Sequence, residues 1–527
     1  MKELSSSVDQ IFSKWDNTYS PGCALAVIKE GEIIYQRGYG MANLEFDQII
    51  TPLTRFQIGS VSKQFTALAV ALLVEEGLIN LEDDIRKYFP ELPDFGEMIS
   101  VDHLVHHTSG LRDQVELMMM AGYRIDDVMR HEDTLELFSK QKALNFKPGE
   151  KHLYCNTGYT LMGLLVERVT QKSLRQFCEE RIFAPLGMTQ TLFHDDYKEV
   201  IPGFAPSYSP GKDGFNHEPL TQAIPGGTSL ITTLADMAKW DQEFYEGKVL
   251  GENVIRRMHQ TKKLNSGEEN KYAFGLMLSD YRGLKTVGHG GSHAGYRAQI
   301  TRFPEQHFSV VILCNLASMN PDDLAKQVAD IYLEENFPQP KAEEKVLELS
   351  EEVLKQNCGL YFCEEEMALR RFNLVEGKFL AAIGPGIPLE ALSENTFQLA
   401  PYPFMKFRFE NEDGHKKMFF DMGRGKPAEY VKIKADEPTE KELDFLSGEY
   451  YSPEMENIYE IYLKDQKLLL KRSKYGEGAL VPAQKDAFTC EKFSFDIFFE
   501  RDGSGKVCGF KIYGGRAKGV EFIRKEG

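Results

Sequence analysis

Phe65, Leu68, Ala69, Leu72 and Leu73 recur at three- and four-residue intervals, which predicts an amphipathic helix over residues 60–76. Gly77 stands where a helix C-terminus commonly places glycine. The same periodicity predicts helices at 157–170, 233–246 and 321–335, with others through 112–143. Ala24-Leu25-Ala26-Val27-Ile28 and Ile33-Ile34-Tyr35 read as strands joined by the turn Lys29-Glu30-Gly31-Glu32. Late strands are expected at 298–303 and 308–313. Helical and strand patterns are therefore mixed up to about residue 335, as in one large α/β unit.

At Phe337-Pro338-Gln339-Pro340, followed by the charged stretch Lys341 to Lys345, the pattern changes to short strands with polar turns. An internal repeat then emerges. Gly359-Leu360-Tyr361-Phe362 corresponds to Gly448-Glu449-Tyr450-Tyr451, and Asn395-Thr396-Phe397 to Asp486-Ala487-Phe488. Phe407-Arg408-Phe409-Glu410 pairs with Phe498-Phe499-Glu500, each before an acidic, glycine-containing turn. The offset stays at about 90 residues, and two strand-rich units of that size read as two small antiparallel barrels. The expected domains are 1–338, 344–435 and 436–527.

Bulk properties narrow the function classes. A chain of 527 residues exceeds one compact core, so two to four domains are expected. The formal net charge of −18 argues against a generic nucleic-acid surface, which needs clustered Lys and Arg. The sequence at Met1-Lys2-Glu3-Leu4-Ser5-Ser6 lacks the apolar core of a secretory signal, and no run approaches the ~18 apolar residues of a membrane span. The eight cysteines are scattered without paired metal-ligand spacing, which reads as buried thiols in a reducing compartment, the cytoplasm.

Three short motifs carry candidate chemistry. Ser60 and Lys63 are three apart, on one helix face, so a neutral lysine can take the serine hydroxyl's proton. The helix N-terminus adds N–H groups suited to an anionic intermediate. Tyr154-Cys155-Asn156 follows the turn Lys147-Pro148-Gly149-Glu150 and offers a phenol for proton transfer beside a carboxamide. His289-Gly290-Gly291-Ser292, with Gly295 and Arg297 beyond it, stands immediately before an expected strand, and its glycines let backbone N–H groups approach a ligand closely; the plainer reading is a flexible hairpin turn. His103, His106 and His107 have helical spacing for a metal, but a structural role outweighs that reading.

The order Ser-x-x-Lys, Tyr-x-Asn, His-x-Gly resembles the penicillin-recognising serine hydrolases, which include class C β-lactamases, D-Ala-D-Ala carboxypeptidases, esterases and D-amino-acid peptidases. Phe56 to Lys63, Leu104 to Leu111, Pro185 to Met188 and Gly226 to Ser229 also match that family's segments, over roughly residues 10–335. The resemblance implies an α/β fold with an antiparallel sheet flanked by helices plus an all-helical lobe, of the β-lactamase/transpeptidase-like kind. Two lipocalin-like antiparallel β-barrels would follow it. It implies Ser60 as acylated nucleophile, Lys63 and Tyr154 as the acid–base pair, and Asn156 as a substrate-positioning group. Gly291 would line the substrate site, and the N–H groups of Ser60 and Ser292 would form the oxyanion hole. His289 takes the place of a lysine found in many members. A histidine is largely neutral near pH 7 where lysine is a fixed cation, which weakens the case for a dedicated β-lactamase or carboxypeptidase.

A catalytic domain followed by two barrels resembles the D-aminopeptidase branch, with Arg297 at that branch's arginine position. A loop of the last barrel at 473–478 would restrict the site, with Glu477 facing a substrate ammonium. The alternatives are a carboxylesterase, a weak β-lactamase or DD-carboxypeptidase, and, in another class, a penicillin-binding sensor without turnover. No cofactor is required. The implied partners are a small peptide, amide or ester substrate, β-lactams as inhibitors, and a second copy of the chain in a homodimer.

Overall fold

The computed structural model describes residues 2–124, 126–338, 345–383, 386–400, 402–412, 414–422, 426–472 and 476–526. The chain forms two compact bodies, and they do not follow chain order. The first comprises 1–114, 125–139 and 146–341; the second comprises 115–124, 140–145 and 342–527. The Pro-rich boundary at 339–344 lies largely outside the described residues.

In the first body six strands form one antiparallel sheet, in the order Met277–Tyr281, Leu284–His293, Tyr296–Phe303, Phe308–Cys314, Cys23–Lys29, Glu32–Tyr39. Cys23–Lys29 and Phe308–Cys314 are near-continuous apolar runs because they are central and covered on both faces. They pair directly, from Cys23 opposite Cys314 to Lys29 opposite Phe308. Val8 and Phe12 of the first helix and Leu324, Ala325 and Val328 of Pro321–Tyr332 pack on Leu25, Val27, Val310 and Ile312, one face of this sheet.

The helix predicted at 60–76 begins instead with a 3₁₀ turn, Gly59–Ser62, and continues as an α-helix at Lys63–Glu75. Every residue from Lys63 to Leu73 is buried, so the helix is central rather than amphipathic; helices Asn156–Thr170 and Glu252–Met258 cover faces that the apolar spacing leaves to solvent. Gly77, at φ +70, donates to Val74 O and ends it as expected. Helices Asn156–Thr170, Leu234–Glu246 and Pro321–Tyr332 lie close to their predicted ranges, and the 112–143 stretch contains Gln114–Met120 and His131–Ser139. Among the described residues no helix is long and apolar enough to cross a membrane.

The second body contains two closed eight-stranded antiparallel barrels, from Gly359–Cys363 to Ala428–Ile433 and from Gly448–Ser452 to Lys518–Arg524. The repeated sequence landmarks fall on the first, fifth and sixth strands of each barrel. Closure pairs Leu360 with Ile433 and Tyr450 with Arg524. Phe372, Phe379, Phe397, Phe407 and Phe409 fill the first interior, so its aromatics are core. Asp496 of the second barrel accepts the Leu369 N–H of the first at 2.8 Å.

Residues 115–124 and 140–145, expected within the 1–338 domain, pack with these barrels. Met120 O accepts from Asn457 Nδ2 and Tyr459 Oη at 2.9 and 2.7 Å. Glu116 accepts from Arg516 Nε at 3.0 Å. Asn145 exchanges two hydrogen bonds with the backbone of Arg516 and Lys518.

Candidate active site

Three chain segments of the first body converge on Lys63. Ser60 lies in the 3₁₀ turn, and Lys63 Nζ, fully buried, sits 3.1 Å from Ser60 Oγ. The same nitrogen donates to Asn156 Oδ1 at 2.9 Å and to Gly227 O at 2.7 Å. A neutral amine has two N–H bonds and one lone pair. In its neutral form Lys63 can give its two N–H bonds to those two acceptors and turn its lone pair to the Ser60 hydroxyl. The arrangement can therefore deprotonate Ser60 and return the proton later.

Tyr154 stands on the same side, with Lys63 Nζ 4.9 Å from its ring centroid. Its backbone is held by His107, whose carbonyl accepts Leu153 N–H and whose Nδ1 accepts Cys155 N–H. The His107 ring packs on Tyr154 at 4.3 Å. His106 Nδ1 lies 2.9 Å from Tyr272 O, and His103 completes a helix N-terminal capping box with Ser100. The three histidines thus go to separate structural tasks. Among the described residues no group of three or more His, Cys, Asp or Glu is arranged to hold a metal.

His289, Gly290, Gly291 and Ser292 precede the strand Tyr296–Phe303 as expected, but they lie in a strand of their own, Leu284–His293, rather than a hairpin turn. Glycines disguise this strand because another backbone crosses it closely. A Cβ on Gly291 would lie 1.9 Å from Ile58 O and 3.2 Å from Ser60 N. A Cβ on Gly59, which has φ +53, would lie 2.5 Å from Ser292 N. The two glycines bring the amides of Ser60 and Ser292 to one spot, a geometry that can hold a developing oxyanion.

Alternation along the strand puts His289 and His293 on the face of that crossing. His289 Nδ1 lies 2.6 Å from Gly290 O, an acceptor only, so Nδ1 carries a proton; Nε2 lies 2.9 Å from Tyr272 Oη. Burial is the largest cause pushing the His293 imidazole down to about 4; Lys63 adds to it in its protonated form, and the Arg297 cation adds a further push. Arg297 itself folds back to donate to Ala294 O and Tyr296 O.

Ser60, Lys63, Asn156, Tyr154, His289, Gly291 and Ser292 are thus brought together. Glu477 belongs to the second body, where it is exposed and accepts the Tyr462 hydroxyl; Ser473, Lys474 and Tyr475 of the expected gating loop lie outside the described residues. Sequence reasoning missed Tyr272, His293, the Gly227 carbonyl and Asp113, whose carboxylate contacts Asn156. Asp113 and Tyr272 carry no spacing signal, whereas His293 lies four residues beyond His289, on one strand face.

The family profile described as Beta-lactamase matches residues 8–333. A D-aminopeptidase of Brucella melitensis biotype 2 is 25% identical over 516 residues, covering 96% of both chains. A D-aminopeptidase of Brucella anthropi is 29% identical over 319 residues, 59% of each. Among solved structures, the octameric penicillin-binding protein homologue from Pyrococcus abyssi superposes with a TM-score of 0.58 at 25% identity, covering 90% of this chain and 99% of that one. The D-amino acid amidase from Ochrobactrum anthropi SV3 shares the fold of the first body, with a TM-score of 0.53 at 24% identity, over 63% of this chain and 99% of its own.

Proposed function

We propose, for a chain that belongs to the β-lactamase family of serine hydrolases, that Ser60 is acylated by small amides or peptides and that the protein works as a D-aminopeptidase. The observation that carries the catalytic part is Lys63 Nζ, bound to Asn156 Oδ1 and Gly227 O with Ser60 Oγ at 3.1 Å. In this reading the Ser60 proton passes to the Lys63–Tyr154 pair as Oγ bonds to the substrate carbonyl carbon. The tetrahedral oxyanion rests between the Ser60 and Ser292 N–H groups. Collapse breaks the C–N bond, and the leaving amine takes the proton. Water then attacks the ester and gives a proton to the same pair, which passes it to Ser60 Oγ as the acyl C–O bond breaks and the acid leaves.

Similarity to D-aminopeptidases along 96% of the chain, barrels included, supports the substrate class. His289 supports it too, because histidine, unlike lysine, is not a fixed cation that would pair with a C-terminal carboxylate. Arg297 is the candidate substrate contact of this reading.

The test is turnover of D-Ala, Gly and L-Ala p-nitroanilides beside p-nitrophenyl acetate and nitrocefin. D-Ala anilide is expected to be cleaved in preference to L-Ala, and Ser60→Ala to lower kcat on every substrate by about 10⁴-fold or more. Ester cleavage without anilide cleavage refutes the aminopeptidase but not the hydrolase. Turnover retained in Ser60→Ala refutes the nucleophile.

A further inference from the structure

We propose that Asp113 is a positioning residue for the reaction: its carboxylate sets which end of the Asn156 amide faces Lys63, and so keeps Lys63 aimed at Ser60. The inference rests on the acyl-transfer reading of Ser60.

Asp113 is fully buried. One of its oxygens, Oδ2, accepts both the Asn156 backbone N–H at 2.6 Å and the Asn156 side-chain Nδ2 at 3.1 Å. An ionised carboxylate only accepts hydrogen bonds, so the amide end at Asp113 must be the NH₂. The carbonyl end is thereby turned to Lys63 Nζ, 2.9 Å away. With the amide reversed, NH₂ would confront the Lys63 N–H, and the lysine would lose one of the two acceptors that direct its lone pair at Ser60. Asparagine by itself has no preference between these two states, because its ends are nearly equal in shape. Asp113 supplies the asymmetry.

Asp113 is itself held in place. Thr157 Oγ1 donates to Arg112 O at 2.7 Å and accepts the Gln114 N–H at 2.8 Å, while Cys155 Sγ lies 3.3 Å from Leu111 O. These bonds tie 111–114 to 155–157 on both sides of the carboxylate. The carboxylate reaches the reacting serine through Asn156 and Lys63. It belongs to the machinery at one remove, and it controls alignment rather than binding.

The rival account is that Asp113 merely satisfies the first N–H of the Asn156–Thr170 helix. Four variants of the full chain separate the two: Asp113→Asn, Asp113→Ala, Asn156→Ala and the Asp113→Ala/Asn156→Ala pair. The carboxamide introduced by Asp113→Asn can place its carbonyl oxygen where Oδ2 stands and accept both donors. Asp113→Asn is therefore expected to keep kcat within about 3-fold, and Asp113→Ala to lose about 30-fold or more in kcat with KM little changed, the range of a small misalignment. In an Asn156→Ala background, Asp113→Ala should cost less than about 3-fold more, because the group it orients has gone. Three results overturn the proposal: Asp113→Asn as poor as Asp113→Ala, a loss carried by KM, or an undiminished Asp113→Ala effect without Asn156. A neutron crystal structure of Asp113→Ala, which tells the amide oxygen from its NH₂, gives a readout free of substrate, since Asn156 Oδ1 held at Lys63 would equally overturn it. If the wild type cleaves neither anilide nor ester, the acyl-transfer reading fails, and that structure still decides the orientation claim.

Discussion

Replacing Asp496 by asparagine should stabilise the barrels at neutral pH and leave them unchanged in acid. Burial, only partly offset by Arg370, the Leu369 N–H and Thr489, raises the Asp496 carboxyl from its ordinary 3.8 to about 6. The folded chain therefore binds this proton more tightly than the unfolded chain. The stabilisation is complete below pH 3.8 and is lost as pH rises through 6. The difference of about 2.2, at 1.36 kcal/mol per pH unit, amounts to about 3 kcal/mol by pH 7. Asparagine keeps an acceptor for Leu369 N–H and can donate to Thr489 Oγ1, so it retains the contacts and removes the charge. The Asp496→Asn protein should match the wild type near pH 4 and melt roughly 6–12 °C higher at pH 7–8 in its barrel transition. Calorimetry from pH 4 to 8 measures this. Hydrogen exchange at Leu369 assigns the transition to the barrels. A melting difference independent of pH would refute the argument, because a contact effect without ionisation has no pH slope.

Gly291→Ala should lower kcat by about 100-fold or more, the scale of losing one oxyanion donor, because its methyl would fall 1.9 Å from Ile58 O and force the strand off Ser60. Near-wild-type turnover would show that Ser292 N–H is not needed where the strand crosses. Asp241→Ala should cost about 3–5 kcal/mol of stability, since it strands the fully buried Arg302 guanidinium, now 2.8 Å from Asp241. Urea unfolding followed through Trp240, whose ring lies 5.8 Å from that guanidinium, reads the loss.

The central strands and long helices are legible in the sequence because their burial is written as apolar runs and helical spacing. The barrels are legible because the chain repeats its landmarks with an eight-strand period. Ser60 and Lys63 are legible because the 3₁₀ turn and the helix keep residues three apart adjacent, but the spacing gains meaning only with Tyr154, Asn156 and His289 following in order. The strand carrying His289 is hidden, because glycines required by a crossing backbone resemble those required by a turn. Asp113 is hidden for another reason. Its partner is 43 positions away, and a hydrogen bond across that distance leaves no periodic trace. The full burial of Lys63–Leu73 is likewise set by packing neighbours rather than by local pattern.

The ties from residues 115–124 and 140–145 to the barrels have a consequence in time. Glu116 and Arg516 are 400 residues apart. At about 5–20 residues per second of synthesis, Glu116 waits roughly 20–80 s on the ribosome before its partner exists. Leu117, Met118 and Met120, all buried in the finished protein, spend that interval without the barrel residues that complete their body. The nascent chain therefore carries an apolar segment whose body is completed only when the second barrel has been made. A chain cut before that barrel would lack the partners of Glu116 and of the Met120 carbonyl, which favours recognition by chaperones and proteases.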